Sequence, residues 1–188
     1  MKAVKPTRME LLLIGKKLKL ASKGHKLLKE KRDVMVMEFF SVLKEIKSLR
    51  ADIGEKLMRA ENALANAQAV EGELEIDRIS LGLEEGVSLD MGKRSIMGVE
   101  VPVVKDVKLE HQWHGHYSQT IELDNAIKGY RELFKELVAL AEKQLVLKRL
   151  SEEIKKTKRR VNSLEYLTMP RMEKLKKVIT FKLEELER

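Results

Sequence analysis

Residues 11–46 read LLLIGKKLKLASKGHKLLKEKRDVMVMEFFSVLKEI, and this stretch decides the fold. Alternate steps of three and four residues, starting at Leu11, meet 19 positions as far as Leu74, and 16 of them are apolar. These seam positions are Leu11, Ile14, Leu18, Ala21, His25, Leu28, Arg32, Met35, Phe39, Val42, Ile46, Leu49, Ile53, Lys56, Ala60, Ala63, Ala67, Val70 and Leu74. A repeat of 3.5 residues over so long a stretch predicts a coiled coil with a left-handed supercoil, because only that supercoil keeps the stripe facing one partner.

Both ends of this first helix carry boundary signals. Thr7 followed by Glu10 has the spacing of a capping box, and Pro6 stands just before it. Gly72 is a typical stop signal. We therefore expect a long N-terminal helix over residues 7–71, with a length of about 95 Å at about 1.5 Å per residue.

A second long helix is expected over residues 118–188, beginning between Ser118 and Asp124. Apolar residues and one threonine recur every seven residues. Further apolar residues lie between them, four residues after the preceding seven-spaced position in some repeats and three residues after it in others. Such changes are typical of stutters, which alter the supercoil locally. Pro170 removes one backbone hydrogen bond and predicts a kink near Leu167. The seven-spaced positions are Leu133, Leu140, Leu147, Ile154, Val161, Thr168 and Leu175.

The connecting region, residues 72–117, changes character. Glycines interrupt short alternating runs at 87–91 and 99–103, which predicts a β-hairpin at about 87–104. Gly92-Lys93 offers a tight turn after the first run, and Pro102 confines its strand to an edge. We expect a mainly α fold, in which two long helices form an antiparallel left-handed coiled coil within one elongated domain, 1–188.

Composition excludes several classes of protein. The chain contains no cysteine, so disulfides and thiolate metal sites are excluded, and a cytoplasmic location is expected. No apolar run approaches the roughly 18 residues of a membrane span, and no secretory leader is visible at the N-terminus. Only 4% of residues are aromatic while 36% are charged, which suits long exposed helices better than a compact core.

The net charge of +8 is unevenly distributed. Residues 1–50 carry 14 basic and 5 acidic side chains, residues 51–130 carry 8 and 15, and residues 131–188 carry 16 and 10. Both terminal parts are basic and the middle is acidic. If the two long helices fold back on each other, the end with both termini is positive and the opposite end is negative. We therefore expect different partners at the two ends.

No catalytic motif is present. His111, Trp113, His114 and His116 form the only cluster that resembles a site, with Glu110 as a possible fourth ligand. Without a cysteine, a polar loop packed by the single tryptophan is the preferred interpretation. There is no phosphate-binding loop and no dinucleotide fingerprint, so we expect a non-enzyme without cofactor or metal.

Two basic segments, 23–33 and 155–160, would lie on the same half of an antiparallel pair of long helices, where their charges would combine into one positive surface. The alternatives for these segments are a solvated helical face and a nucleic-acid-binding face. For the second alternative, the segments lack aromatic residues that could stack on bases and a known nucleic-acid-recognition motif. The side chains of the seam become small at Ala60, Ala63 and Ala67. Small side chains indicate close approach of another helix or of a partner, or a thinner core.

Three blocks of the sequence resemble the D subunit of the archaeal A-type and vacuolar-type ATP synthases. The first is Pro6-Thr7-Arg8 leading into residues 20–33, LASKGHKLLKEKRD. The second is residues 97–102, MGVEVP, which is similar to that family's central hairpin. The third is residues 153–165, EIKKTKRRVNSLE, together with Pro170. Their order and spacing agree over nearly the whole chain.

The resemblance implies a non-catalytic central rotor stalk that transmits torque between a membrane ring, driven by protons or sodium ions, and a catalytic head. Its implied partners are the catalytic and non-catalytic nucleotide-binding subunits of the head, the small F subunit of the stalk and the socket subunit on the membrane ring. No nucleic acid and no direct membrane insertion are expected, and the location is cytoplasmic, peripheral to the cell membrane. The contacts expected with the head are Lys23, His25, Lys29, Arg32, Lys158, Arg159 and Arg160, and those expected in the lower stalk are Ala60, Ala63, Ala67, Val99 and Val101.

Some matters stay open at this point. Members of that family usually continue past the equivalent of residues 184–188 with another basic helical stretch, so we expect a shortened chain or a short variant here. A prefoldin-like coiled-coil chaperone and a basic coiled coil that binds nucleic acid are the rival functions. The coupling ion, the working direction and the face that meets the F subunit are not determined by the sequence.

Overall fold

The structure is a computed structural model, and it describes residues 7–81, 86–109 and 120–188. The described chain is mainly α-helical with one two-stranded antiparallel sheet, as predicted. Its elements are α1 (Arg8–Glu71), α2 (Glu73–Leu81), β1 (Val87–Ile96), β2 (Val99–Leu109), α3 (Ile121–Asn162), a π-helix (Ser163–Thr168) and α4 (Met169–Glu187).

Helix α1 begins and ends where the sequence predicts. The backbone N–H of Glu10 donates to Oγ1 of Thr7 at 3.2 Å, so the threonine satisfies one of the free donors of the first turn. Gly72 has a φ of 88°, a conformation that glycine adopts without steric cost, and its N–H donates to the carbonyl of Gln68. Helix α2 follows directly after this glycine and was not predicted.

The chain divides into two compact units. Unit 1 comprises Met1–Glu38 and Leu150–Arg188, and unit 2 comprises Phe39–Arg149. In unit 1, Arg8 pairs with Glu187 at 2.6 Å, and His25 lies against Glu165. In unit 2, Glu45 pairs with Lys143 at 2.7 Å, and Lys56 pairs with Glu136. Partner numbers fall as residue numbers rise, so the helices in each unit are antiparallel; a single domain over the whole chain stays a prediction.

The predicted seam of α1 forms the core of both units. Ile14 and Met35 are buried in unit 1, and Val42, Ile46 and Ile53 are buried in unit 2. Buried residues of the facing helices include Val161 and Ile179 in unit 1 and Leu133 and Val146 in unit 2. Two seam positions, Val70 and Leu74, are exposed. Glu71, which follows Val70, accepts a hydrogen bond from the N–H of Thr120, the residue directly before α3.

Pro170 produces a π-helix instead of a simple kink. The N–H of Met169 donates to the carbonyl of Leu164, five residues back, and the Thr168 hydroxyl donates to the carbonyl of Ser163 at 3.1 Å. A proline has no N–H and its ring crowds the preceding turn, so the turn before it widens. The irregularity lies at the predicted place, around Leu167.

The predicted hairpin exists, but its turn and its length were wrongly predicted. The strands pair from Val87 opposite Leu109 to Ile96 opposite Val99, with a bulge after Asp90, so the hairpin is longer than 87–104. The turn is Met97-Gly98, with φ of 53° and 79°, and not Gly92-Lys93. Positive φ at both residues is the pattern of a type I′ turn, which matches strand twist.

Gly92 has a packing role within β1. A Cβ atom on this residue would lie 2.6 Å from Cε of Lys105, so the glycine makes room for the aliphatic part of that lysine. The hairpin also rests on α3, because the N–H of Val104 donates to Oε2 of Glu142 at 3.1 Å. Val101 of β2 is 1% exposed and belongs to the core of unit 2.

Candidate functional site

Unit 1 is strongly cationic. Its two segments contain 22 basic and 11 acidic side chains, a net charge of +11, whereas unit 2 contains 16 basic and 19 acidic, a net charge of −3. A concentration of one sign on one compact unit creates a potential that attracts a partner of opposite charge. The described part of unit 1 is therefore the candidate site.

All seven predicted head contacts lie in unit 1. Five of them are exposed, and we call these five the basic surface: Lys23, Lys29, Lys158, Arg159 and Arg160. They come from the two helices that pair in this unit. These five side chains are accessible to a partner.

The other two, His25 and Arg32, are half-buried seam residues with partners inside the chain. Nε2 of His25 lies 3.3 Å from Oε2 of Glu165 on the π-helix, so the histidine joins the two helices. Arg32 donates from Nε and Nη2 to Oδ1 of its neighbour Asp33, at 3.0 and 2.7 Å. Both side chains therefore contact acidic residues within the chain.

The contact between His25 and Glu165 also aligns the two basic segments. When residues are counted along the antiparallel helices from this contact, Lys29 and Arg32 come about level with Val161 and Lys158. The cations of α1 and α3 are thereby brought to one level of unit 1. This arrangement agrees with the predicted merging of charge.

The structure corrects part of the predicted lower-stalk surface. Ala60, Ala67 and Val101 are 2%, 0% and 1% exposed, so the chain itself covers almost all of their surface. The small seam residues admit the second helix, since Gly129 of α3 lies against Ala60. Only Ala63 and Val99 of that set are partly exposed. Ala63 lines an open cleft of about 250 Å³ together with Lys56, Arg59, Ala60, Asn125, Gly129 and Glu132.

Comparison with known proteins identifies the family. The family model described as the D subunit of ATP synthase matches residues 10–188. This chain belongs to the ATP synthase D subunit family. It is 42% identical to the A-type ATP synthase D subunit of Methanopyrus kandleri, over 98% of this chain and 81% of that protein. It is 42% identical to the protein of the same name in Pyrococcus horikoshii, over 98% and 88%, and 40% identical to that of Archaeoglobus fulgidus, over 100% and 92%.

Membership of the ATP synthase D subunit family favours the interpretation drawn from the three sequence blocks over the chaperone and nucleic-acid alternatives. Within 7–81, 86–109 and 120–188, no group of three or more histidines and acidic residues is arranged to hold a metal ion. The cluster of His111, Trp113, His114 and His116 lies outside the described residues. No helix in the described part of the chain is long and apolar enough to cross a membrane.

Sequence reasoning missed the ion pairs that join the helices of unit 2. Lys56 counted as a polar interruption of the seam, yet its ammonium group pairs with Glu136 of α3. The hydrogen bond to Glu136 raises the pKa of Lys56, and the charges of Glu136, Glu132 and Asp52 act in the same direction. Only the register between the helices reveals this partner, and the stutters of α3 hide that register in the sequence.

Proposed function

We propose that this chain is the central rotor shaft of an A/V-type ATP synthase. In this role it transmits torque between the membrane ring, which ion flow drives, and the catalytic head, in ATP synthesis or hydrolysis. The family assignment supports a place in an ATP synthase. The observation that carries the shaft role is the cationic unit 1, in which two paired helices expose the basic surface around an apolar core.

A shaft must resist twisting, and the helix pairs supply that resistance. Interlocked side chains along a seam prevent one helix from turning without the other, which a single helix cannot achieve. The ion pairs of Glu45 with Lys143 and of Lys56 with Glu136 add cross-links beside the seam of unit 2. In unit 1, the contact of His25 with Glu165 has the same role.

In this proposal the basic surface makes the contacts with the head that change as the shaft turns. Exposed ion pairs contribute only about 0 to 1 kcal/mol, so contacts between these cations and acidic loops of the head exchange readily as the shaft turns. Lys23, Lys29, Lys158, Arg159 and Arg160 are the side chains that make them, with His25 and Arg32 in support. In this proposal all nucleotide chemistry belongs to the catalytic and non-catalytic subunits of the head, and the shaft is not itself an enzyme.

Unit 2 meets the other partners in this proposal: the small F subunit of the stalk and the socket subunit on the membrane ring. Ala63 and Val99, which keep partial exposure, lie on that surface. The chain is then cytoplasmic and peripheral to the cell membrane, without contact with lipid or nucleic acid. The net charge of −3 on unit 2 is consistent with a partner set different from that of unit 1.

Charge reversal tests the proposal. The triple variant Lys158→Glu, Arg159→Glu, Arg160→Glu should lower ATP-driven rotation in the reassembled complex, because it replaces attraction to the head with repulsion, and should leave co-purification with the F subunit unchanged. The matched control reverses three exposed cations of α1 in unit 2, Lys44, Lys47 and Arg50, and should rotate normally. Unchanged rotation of the first variant would overturn the assignment of the basic surface.

A further inference from the structure

The π-helix presents two large side chains to solvent. Tyr166 and Leu167 are 71% and 69% exposed, and no residue of this segment is buried. Scattered single apolar residues on a surface are ordinary. Exposed neighbouring pairs also occur in regular α-helix, at Leu12-Leu13 and Leu57-Met58, but Tyr166 and Leu167 are the pair that lies in the π-helix, and the described residues bury neither of them.

The backbone explains how this pair reaches the surface. A π-helical turn accommodates one residue more than an α-helical turn and changes the helix face that the following residues occupy. Val161 before the turn and Ile179 after it are both buried, so the seam continues on either side. The widened turn therefore carries its additional residue on the outer side, where Tyr166 and Leu167 lie. Segments of this kind are frequent at functional sites.

The pair is held in place from both sides. Glu165, directly before it, contacts His25 of α1, and the Thr168 hydroxyl, directly after it, donates to the carbonyl of Ser163. Leu164 and Thr168 are half-buried against the unit. A contact on a fixed backbone loses little conformational entropy when a partner binds.

The surroundings indicate the partner's chemistry. Leu20 and Leu27 of α1, five residues before and two after His25, are exposed by 72% and 66%, and cations of the basic surface lie a few residues away on both helices. A partner must therefore offer apolar surface bordered by carboxylates. A second copy of this chain is disfavoured, because two units of net charge +11 repel each other.

We propose that Tyr166 and Leu167 are the apolar anchor through which unit 1 engages an acidic, apolar-centred surface of the head subunits. The inference rests on the proposed function and assigns separate roles to the charged and the apolar residues of unit 1. The basic surface attracts and orients the head, and the anchor supplies the part of the affinity that salt does not screen. Tyrosine is among the residues that most often carry binding energy at protein interfaces.

The test is binding of the full-length chain to the isolated head in low and high salt. The double variant Tyr166→Ser, Leu167→Ser should bind about tenfold or more weakly, the effect expected of a central apolar contact. Wild-type binding should weaken with salt but retain a component that the double variant lacks. The control Met58→Ser removes a residue of α1 in unit 2 that is 65% exposed, and it should bind like the wild type. Conservative replacement, Tyr166→Phe with Leu167→Met, should keep the affinity, and circular dichroism should show unchanged helix content throughout.

Each contrary outcome has a separate meaning. If the double serine variant binds the head normally while the charge-reversed variant loses rotation, the anchor is refuted and the proposed function stands. If the serine changes abolish only self-association of the isolated chain, the pair is a contact between copies, and the anchor is again refuted. If the wild-type chain does not bind the head at all, the proposed function itself fails.

Discussion

Gly129 of α3 lies directly against Ala60 of α1: a Cβ atom on the glycine would be 3.5 Å from Cβ of the alanine. Ala60 is buried, so the small residues of the seam bring the two helices of unit 2 together. The distance is that of an ordinary van der Waals contact, which leaves room for one methyl group.

This geometry predicts opposite effects for two substitutions. Gly129→Ala should raise the free energy of unfolding by about 1 kcal/mol, because alanine favours the helix and its methyl group fits against Ala60. Ala60→Leu should lower it by about 1 to 3 kcal/mol through overpacking. Urea unfolding measures both, with Gly54→Ala, which meets no atom within 4 Å, as the control for helix propensity alone. Destabilisation by Gly129→Ala would show that the helices are closer than described.

The hairpin should depend on Glu142. Replacing it with alanine leaves the N–H of Val104 without its charged acceptor, and a hydrogen bond of that type contributes about 1.5 to 3 kcal/mol. Amide hydrogen exchange at Val104 should therefore accelerate, with that change spreading along β2. Glu61→Ala, at an exposed position of α1, is the control. Equal exchange in the two variants would mean that the hairpin is held by its apolar contacts alone.

The pair of Lys56 and Glu136 should give unit 2 an alkaline stability loss. Because the pKa of Lys56 is raised above the ordinary 10.5, its ionised form is favoured in the folded state. The contribution is complete below the unfolded-state pKa and is lost as pH rises through the folded-state pKa. Urea midpoints measured from neutral to strongly alkaline pH should fall more for the wild type than for Lys56→Met. Lys128→Met, at an exposed position of α3, should follow the wild type. Parallel curves for the wild type and Lys56→Met would contradict the assignment.

The hairpin turn offers a stabilising change. Met97 adopts a φ of 53°, which is costly for a methionine and routine for an asparagine. Met97→Asn should raise stability by about 0.5 to 1 kcal/mol, whereas Gly98→Ala should lower it by at least as much, because the φ of 79° at that position disfavours a side chain. Thermal unfolding of the two variants checks the sign of both effects, and a gain from Gly98→Ala would rule out this turn.

The sequence predicted α1 well because its boundaries are local chemistry: a threonine that caps the first turn and a glycine with positive φ after the last. It misplaced the hairpin turn because Met97 is an unusual residue for a left-handed conformation, while Gly92, the more typical turn residue, makes room for Lys105 instead. The ten paired positions of the longer hairpin offset the cost of the methionine.

The site was predicted less completely, for a physical reason. The five members of the basic surface lie in runs of basic residues, which can be recognised directly in the sequence. The burial of Val101 depends on how the hairpin packs within unit 2, and the partner of Lys56 depends on the register between two helices. The π-helix at Ser163–Thr168 inserts its additional residue into the helix that ends the chain, so spacing alone does not reveal the exposure of Tyr166.

Rotation of this chain within an immobilised ATP synthase head tests the central claim most directly. A probe particle attached to a single cysteine in the hairpin, introduced by Lys93→Cys, reports the motion; the wild-type chain contains no cysteine that would compete for the label. The shaft account predicts continuous rotation in one direction when ATP is added, and slower rotation in the charge-reversed variant of Lys158, Arg159 and Arg160. A probe that stays still while the head hydrolyses ATP would contradict it.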